Sequence, residues 1–549
     1  MSLRTFVKAA GRGSRNVLIL AAVALAAQAC SPKAPARAPC PEGKVCLQIG
    51  NGADPISLDP HKVQGTWEHR LLLDNLIGLT QEDADGAAVP GMAERWETSE
   101  DGLTWTFYLR EAVWSDGVPF TADDFVFSFR RILLPQTASE YASLLYFLKG
   151  AQAINEGKAA PETLGVRAVT PRVLEVRLEH PAPYLLEVAK HQTMFPVPKH
   201  MVEKYGDGWT RPDRYVSNGP YTIVTSRLGD YVKAVKNPRF YEADKVCVDE
   251  VYYYPTTDAV SAERRVKRGE LDINTDIQSN RIAFLRKEMP GYVQTHTYLG
   301  VAYLAFNANI PALRDKRVRQ ALSMAIDREF ITEKLLRGGQ APAYTFVPPG
   351  VANYDATEAP AWSRWTLEQR QAEARRLLAE AGYGPGRPLT IEIKHRNSPD
   401  PMLVMPAIQA DWKQIGVDAK LAQNETQIAY ASYRSRDFQI ADAGWVADYN
   451  DAMSFLWLMQ SATGAQNYGD YKNPAYDALL TQANEEPDAD VRAGYLSQAE
   501  RLILDDAAVA PTYFFVNKNL VNPRITGWKA NLVDYHPTRY LCVAGAKGS

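Results

Sequence analysis

The sequence predicts an α/β protein whose two or three lobes share one continuous fold. Segments with the alternating pattern of half-buried strands are interleaved with amphipathic segments that begin at capping residues, as in mixed α/β structure. The chain has 549 residues, more than one hydrophobic core normally organises. No short-period repeat or heptad pattern is present, and the one biased stretch is rich in Pro and Ala near the N-terminus.

The composition is that of a soluble protein, with 46% hydrophobic and 23% charged residues. A formal net charge of −3 gives no basic surface for nucleic acid, so nucleic-acid binding is not expected. After the first 30 residues, no apolar run is long enough to span a bilayer.

The N-terminus has the organisation of an export signal. A short apolar region at 17–27 follows four basic residues, Arg4, Lys8, Arg12 and Arg15. We predict a signal peptide over 1–29 and a tether over 30–45. The small residue before Cys30 resembles a bacterial lipobox, in which that cysteine is lipidated. An ordinary signal-peptidase site at Ala27-Gln28-Ala29 is the alternative.

The remaining cysteines suit an oxidising compartment. If Cys30 carries lipid, four are left, and they allow three disulfide connectivities that the sequence does not distinguish: Cys40, Cys46, Cys247 and Cys542. No CxxC pair is present, so a zinc site has no support.

In the first half, residues 46–56 predict a strand and a turn, and residues 102–110 alternate as a half-buried strand. A helix begins at Thr121 with a capping box and ends before Pro135. Further strands are expected at 173–178 and 221–224.

In the second half, residues 298–307 are nearly all apolar, as in a strand covered on both faces or lining a cleft. Residues 317–337 predict one long amphipathic helix. A second capping box at Thr366 opens a helix that ends at Gly382, and a strand follows at 389–393.

Residues 438–451 combine a strand with a possible ligand-facing group. Alternation at Phe438 and Ile440 predicts the strand, and Asp451 is placed to cap a helix starting at 452–453. Asp448 is not needed for that cap. It lies where the strand ends, so it is either a ligand-facing carboxylate or a solvated turn residue.

Signatures of catalysis were not found. The chain lacks HExxH, GxSxG, a Walker loop and a GxGxxG after a strand, and its eight histidines lack metal-ligand spacing. We therefore expect no enzyme activity, no metal and no cofactor.

Seven stretches together resemble one family, the extracytoplasmic solute-binding receptors of ABC importers in their oligopeptide-binding branch (family 5). They are SLDPHKVQG (57–65), GLTWTFYLREAVWSDGVPFTADDFVFSFRR (102–131), TASEYAS (137–143), VSNGPYTI (216–223), RVRQALSMAIDRE (317–329), LLAEAGY (377–383) and AGWVADYND (443–451). Each stretch alone is weak evidence for the family, but the order and spacing of all seven are specific to it.

The resemblance implies a two-lobed periplasmic-binding-protein clamp, class II, with discontinuous lobes and an extra inserted domain. The implied boundaries are lobe I at 46–76, 199–299 and 516–549, the inserted domain at 77–198, and lobe II at 300–515. Relatives close around an extended peptide and deliver it to a membrane permease.

The resemblance also implies ligand-binding residues. Asp448 would receive the α-ammonium group of the peptide, and Gly444 and Val446 would allow its backbone to approach a strand. Thr66, Tyr141 and Tyr303 would border the peptide, and Trp445 would form one side of a side-chain pocket. For the three aromatic residues, plain packing is the alternative.

The sequence departs from the family at the C-terminal end of the peptide site. Relatives often have an arginine where this chain has Asp442, and some have a disulfide that Gly300 and Val446 exclude here. Arg396 is the candidate for the missing positive charge, with a solvated loop arginine as the alternative.

We therefore expect a monomeric receptor for short peptides, in the periplasm or on the outer face of the cytoplasmic membrane, that works with an ABC permease. The alternatives are the same fold with a specialised ligand (a cell-wall peptide, a modified peptide, a sugar derivative or a metal chelate) and a peptide signal receptor.

Overall fold

Strands form one large mixed sheet and three small sheets in the computed structural model, which describes residues 37–354, 357–486 and 488–546. In chain order the strands are β1 (Cys46–Gly50), β2 (Thr80–Glu82), β3 (Ala88–Pro90), β4 (Ala93–Thr98), β5 (Thr104–Leu109), β6 (Val166–Thr170), β7 (Val173–Arg177), β8 (Tyr221–Arg227), β9 (Tyr231–Lys236), β10 (Glu250–Tyr254), β11 (Ile273–Asn274), β12 (Val293–Phe306), β13 (Ala341–Pro342), β14 (Leu389–Arg396), β15 (Val417–Asn424), β16 (Ile440–Val446), β17 (Val509–Val521), β18 (Ile525–Thr526) and β19 (Cys542–Val543).

The α-helices are α1 (Thr66–Asn75), α2 (Ala122–Leu133), α3 (Ala151–Asn155), α4 (Leu185–Val188), α5 (Lys199–Tyr205), α6 (Ala259–Lys267), α7 (Ile282–Glu288), α8 (Pro311–Arg314), α9 (Lys316–Met324), α10 (Arg328–Phe330), α11 (Leu367–Glu380), α12 (Pro399–Gln414), α13 (Thr426–Arg434), α14 (Met453–Leu456), α15 (Pro474–Glu485) and α16 (Ala489–Asp505). The predicted signal peptide, Cys30 and most of the tether lie outside the described residues.

Two long strands, β12 and β17, run through the centre of the large sheet. The order is β15-β14-β16-β12-β17-β11-β1-β10-β9-β8, with β13 paired to β17. We call β16, β14 and β15 the C-terminal flank, and β11, β1, β10, β9 and β8 the N-terminal flank. The register between β12 and β17 shifts between Thr297 and Val301, where the pairing passes from one flank to the other. The predicted lobe boundaries 299/300 and 515/516 fall at this shift and stay predictions.

Between α1 and β8 the chain builds a separate sheet in the order β4-β5-β7-β6, against which α2 packs. Arg131 of α2 ties this region to the SLDPH segment through a buried ion pair with Asp59, with Nη2 2.5 Å from Oδ2. The same guanidinium lies 2.8 Å from Nδ1 of His61 through Nη1. The predicted extent of the inserted domain, 77–198, stays a prediction.

Local patterns with a clear physical cause were predicted correctly. Residues 104–109 alternate between half-buried and buried positions as expected for a strand with one core face. Both capping boxes are formed, at Thr121 with Asp124 and at Thr366 with Gln369. The predicted strand at 221–224 extends to Arg227, and the one at 298–307 begins already at Val293.

The single helix predicted over 317–337 is wrong. The first helix ends at Met324, and Asp327 accepts a hydrogen bond from the backbone N–H of Phe330 to start a new one. Arg328 is fully buried, and its guanidinium donates to the carbonyl of Ser323 in the last turn of the first helix, where carbonyls have no partner within the helix. A short π-helix, Ile331–Leu336, completes the segment.

Two disulfides bond the four cysteines outside the signal region. Cys40 pairs with Cys46 beside the start of β1, and Cys247 pairs with Cys542 of β19. This is one of the three connectivities that the sequence left open. The second bond attaches the C-terminal segment to the loop that precedes β10.

Candidate functional site

A cavity of about 390 Å³ lies at the end of β16, within the range of pockets that hold a drug-sized ligand. Distant parts of the chain line it: residues 62–69, the segment around Tyr141, residues 191–192, one face of α13, and residues 444–448. Of the eight predicted ligand-binding residues, the structure brings six to this cavity: Thr66, Tyr141, Gly444, Trp445, Val446 and Asp448.

Asp448 follows β16 and presents a carboxylate with an unused acceptor. Its backbone N–H donates to the Ser454 hydroxyl (2.9 Å), which fixes the turn, and Asp451 supplies the cap of α14 by accepting from the N–H of Met453 (2.8 Å). The Oδ2 atom of Asp448 is buried, with no hydrogen-bond partner among the described residues. Burial raises the pKa of Asp448 to about 7, against the lowering effect of a hydrogen bond from Tyr141. The carboxylate therefore lacks a cation.

Two buried histidines that the sequence analysis missed line the cavity, and one of them, His191, lies beside Asp448. Nε2 of His191 is 3.9 Å from Oδ1 of Asp448, and the rings of His69 and His191 stack at 5.4 Å. His191 accepts from the backbone N–H of Thr193 at Nδ1, so Nε2 carries the hydrogen that faces Asp448. Burial, with the neighbouring His69, lowers the pKa of His191 well below its ordinary value. The imidazole is therefore neutral and leaves the carboxylate charge uncompensated.

Gly444 also has a packing role, which the sequence did not indicate. A Cβ atom at this position would meet the ring of Phe515, with Cζ at 2.8 Å, and a Cβ at Gly300 would meet the same ring at 2.4 Å. The missing side chain of Gly444 therefore makes room for Phe515. Its backbone, together with Trp445 and Val446, still borders the cavity.

Tyr303 does not reach the cavity. It lies on β12, is fully buried, and packs edge-on against Phe346 with ring centroids 5.1 Å apart. The alternation of β12 turns its side chain into the core, so the packing alternative applies to this tyrosine. Its hydroxyl has no hydrogen-bond partner among the described residues.

Arg396 is neither a solvated loop residue nor a residue of the cavity surface. It ends β14 and forms a two-point ion pair with Asp442 of β16, with Nε 2.9 Å from Oδ2 and Nη2 3.2 Å from Oδ1. Both side chains are buried, at 14% and 4% exposure. The opposite charge at 442 therefore neutralises Arg396, and neither group is left over as a charge for a ligand.

One face of α13 was not recognised in the sequence. Gln427, Tyr430 and Arg434 have the i, i+3, i+7 spacing of a helix face, and all three line the cavity. The side chain of Arg434 forms no ion pair or hydrogen bond with the residues that the structure describes, 37–354, 357–486 and 488–546. The helical spacing of these three polar residues could have been recognised in the sequence, but only the strand that follows them was interpreted.

Within 37–354, 357–486 and 488–546 no three acidic, histidine or cysteine side chains are grouped so that they could hold a metal ion. In the same ranges no helix has the length and apolarity needed to cross a membrane.

Comparison with known proteins places the chain in one family. Residues 87–467 match the model of the bacterial extracellular solute-binding proteins, family 5. The periplasmic oligopeptide-binding protein OppA of Escherichia coli is 37% identical over 490 residues, which cover 88% of this chain and 90% of that protein. The probable deoxycholate-binding periplasmic protein YgiS of Escherichia coli is 34% identical, with 96% of this chain and 99% of that protein covered.

Solved structures agree with this assignment. Haemophilus influenzae OppA in complex with RPPGFSPFR matches with a TM-score of 0.85 at 33% identity, covering 92% of this chain and 100% of that chain. The Escherichia coli murein tripeptide binding protein MppA matches at 0.86, with 35% identity and coverage of 91% and 98%. Its unliganded open form matches at only 0.72, with 34% identity and coverage of 93% and 99%. The chain therefore belongs to the bacterial extracellular solute-binding proteins of family 5 and has their two-lobed α/β clamp fold.

Proposed function

We propose that this protein is an extracytoplasmic receptor that binds short peptides through their backbone and free N-terminus and delivers them to an ABC permease. The observation that supports it most is the unpartnered carboxylate of Asp448 inside the cavity. Relatives named for oligopeptide binding, and one solved with a bound peptide, support the class of ligand.

Asp448 selects an ammonium group. A buried carboxylate is costly unless a cation meets it. Neither Tyr141 nor the neutral His191, which lie beside Asp448, supplies a positive charge. The α-ammonium of a peptide supplies it, whereas an acetylated N-terminus does not.

The backbone of the ligand has an open strand edge to pair with. β16 pairs with β12 over its whole length, but its other edge pairs with β14 only at Ile440 and Ala441. From Asp442 onward that edge is unpaired among the described strands. Main-chain pairing along it gives affinity that does not depend on side-chain identity.

Arg434 is the group we propose for a carboxylate of the ligand. Arg396 is neutralised by Asp442, and Lys62 pairs with Asp207 at 2.8 Å, which leaves Arg434 as the cation on the cavity surface without an ion pair in the described part of the chain. The cavity is at the small end of the pocket range, so the enclosed part of the peptide is short.

The test begins with mass spectrometry of what remains bound to the purified protein after gentle unfolding. Trialanine and N-acetyl-trialanine are then compared by calorimetry. Asp448→Asn should weaken trialanine about tenfold, because a charge-assisted hydrogen bond becomes a neutral one. Asp418→Asn, on the exposed part of β15, is the matched control. Equal affinity of wild type and Asp448→Asn for trialanine would remove the proposed role of Asp448.

A specialised ligand is the second candidate. MppA is named for a murein tripeptide and YgiS for deoxycholate, and both share this fold or sequence. The neutralised Arg396–Asp442 pair favours a ligand that differs from ordinary peptides at one end. A single defined compound in the mass spectra, instead of a ladder of short peptides, would select this candidate. No turnover of the ligand is expected in either case, and its intact recovery after prolonged incubation checks this.

The cellular address is also a proposal. We expect a monomer in the periplasm or on the outer face of the cytoplasmic membrane, anchored through a lipid on Cys30. The mass of the N-terminal peptide of the mature protein distinguishes an acylated Cys30 from an unmodified terminus.

A further inference from the structure

A buried ion pair lies directly behind the cavity surface and touches it at one point. Arg396 uses Nε and Nη2 for the two oxygens of Asp442, and its Nη1 donates to the hydroxyl oxygen of Tyr430 at 2.9 Å. Tyr430 lines the cavity, whereas Arg396 and Asp442 do not. The phenol is therefore the group through which the pair acts on a ligand.

The direction of the Tyr430 O–H bond follows from the chemistry of its neighbour. A guanidinium has only donors, so the phenol oxygen must be the acceptor in this contact. The hydrogen of the hydroxyl then points away from Arg396, and no described residue accepts it. Because this side chain borders the cavity, the free hydrogen is available to a ligand.

We propose that Asp442 and Arg396 are positioning residues that hold Tyr430 as a hydrogen-bond donor for an acceptor oxygen of the bound peptide. Asp442 cancels the charge of Arg396, so the phenol can donate to an uncharged carbonyl as well as to a carboxylate. Arg434, one helical turn further along α13, is then the residue that favours ligands with a negative charge. The inference rests on the proposed peptide-binding function and adds a specificity element to it.

The experiment uses the mature protein and an equimolar pool of tripeptides with free N-termini, prepared as free acids and as C-terminal amides. Bound peptides are quantified by mass spectrometry. Tyr430→Phe should reduce binding of both forms, about threefold to tenfold for the amides and somewhat more for the acids, whose carboxylate accepts a charge-assisted hydrogen bond. Tyr433→Phe is the matched control, since its hydroxyl donates to the carbonyl of Lys394 (3.3 Å) and does not line the cavity.

Asp442→Asn tests the role of the charge through the ratio of bound acids to bound amides, which a loss of packing alone would not change. It leaves the charge of Arg396 without its partner, so the ratio of bound acids to bound amides should rise. Arg434→Met should lower that ratio by weakening the acids alone.

The outcomes distinguish failure of the proposed peptide-binding function from failure of the proposed role of Tyr430. If the wild-type protein binds neither pool, the proposed function fails. If it binds peptides but Tyr430→Phe behaves as Tyr433→Phe does, the role of Tyr430 is overturned. If Tyr430→Phe weakens only the acids, the donation to an uncharged carbonyl is overturned. Tyr430→Phe decides these points even if Asp442→Asn does not fold.

Discussion

Replacing Asp400 by Asn tests a contact that joins the two flanks of the large sheet. Asp400 lies at the start of α12, which packs on β14 and β15 of the C-terminal flank. Its Oδ2 accepts from Nζ of Lys518 and from the hydroxyl of Ser279, both at 3.0 Å. Lys518 belongs to the part of β17 beyond the register shift, and Ser279 follows β11 of the N-terminal flank. The contact therefore joins the two flanks, and we expect it to stabilise the closed clamp.

The size of the effect follows from these bonds. Hydrogen bonds to charged groups contribute about 1.5–3 kcal/mol each, and neutral ones about 0.5–1.5 kcal/mol. Asparagine retains an acceptor oxygen, and Lys518 keeps Asp276 at 3.8 Å, so the net loss is about 1.5 kcal/mol. We expect closing to accompany binding, so every peptide should bind about tenfold more weakly to Asp400→Asn, acids and amides alike.

Calorimetry with trialanine and trialanine amide measures this loss. Small-angle scattering at a trialanine concentration that half-saturates the wild type should show a larger radius of gyration for Asp400→Asn, while Asp418→Asn should match the wild type. Wild-type affinity together with a wild-type radius in Asp400→Asn would refute the reasoning that this contact stabilises the closed state.

Three further changes test other parts of the structure. Burial lowers the pKa of His69 to about 3 from an ordinary 6.5, so stability that is complete above the ordinary value is lost as the pH falls towards 3. His69→Gln should reduce the steepness of this loss in thermal unfolding scans, and identical curves would contradict it. Arg492→Met leaves Asp451 buried and unpaired and should cost about 3–5 kcal/mol in urea unfolding, with partial recovery on adding Asp451→Asn. Gly444→Ala should cost about 1–3 kcal/mol because its Cβ meets the Phe515 ring, and Phe515→Leu in the same chain should restore part of that; stability equal to wild type would show that the ring moves freely.

Features whose cause is local were predicted from the sequence. The strand over 104–109 rests on alternation, and the helix starts at Thr121 and Thr366 rest on side chains three residues apart. Asp448 was singled out because it follows a strand and is not required by the next helix. In each case, residues that are close in the sequence determine the local structure.

Features that depend on distant partners were not predictable in the same way. The disulfide connectivity needs the fold, since Cys247 meets Cys542 only after the C-terminal segment has packed. His191 was missed because nothing near it in the sequence indicates Asp448. Arg396 was considered as a charge for the ligand or as a solvated loop residue, and its pairing with Asp442 was missed because Asp442 is on another strand. The break in the helix over 317–337 depends on carbonyls that only the folded chain brings to Arg328.

The position of β17 near the end of the chain also bears on how the protein folds. β17 pairs with β11, β12 and β13, and so completes the centre of the large sheet with residues that are synthesised late. Until Val509–Val521 are available, β11 and β12 have open edges that attract other strands. Pairings of such long sequence separation form slowly. A fragment that stops before Val509 should therefore aggregate instead of forming a smaller stable domain, and folding of this clamp must wait for its own C-terminal strand.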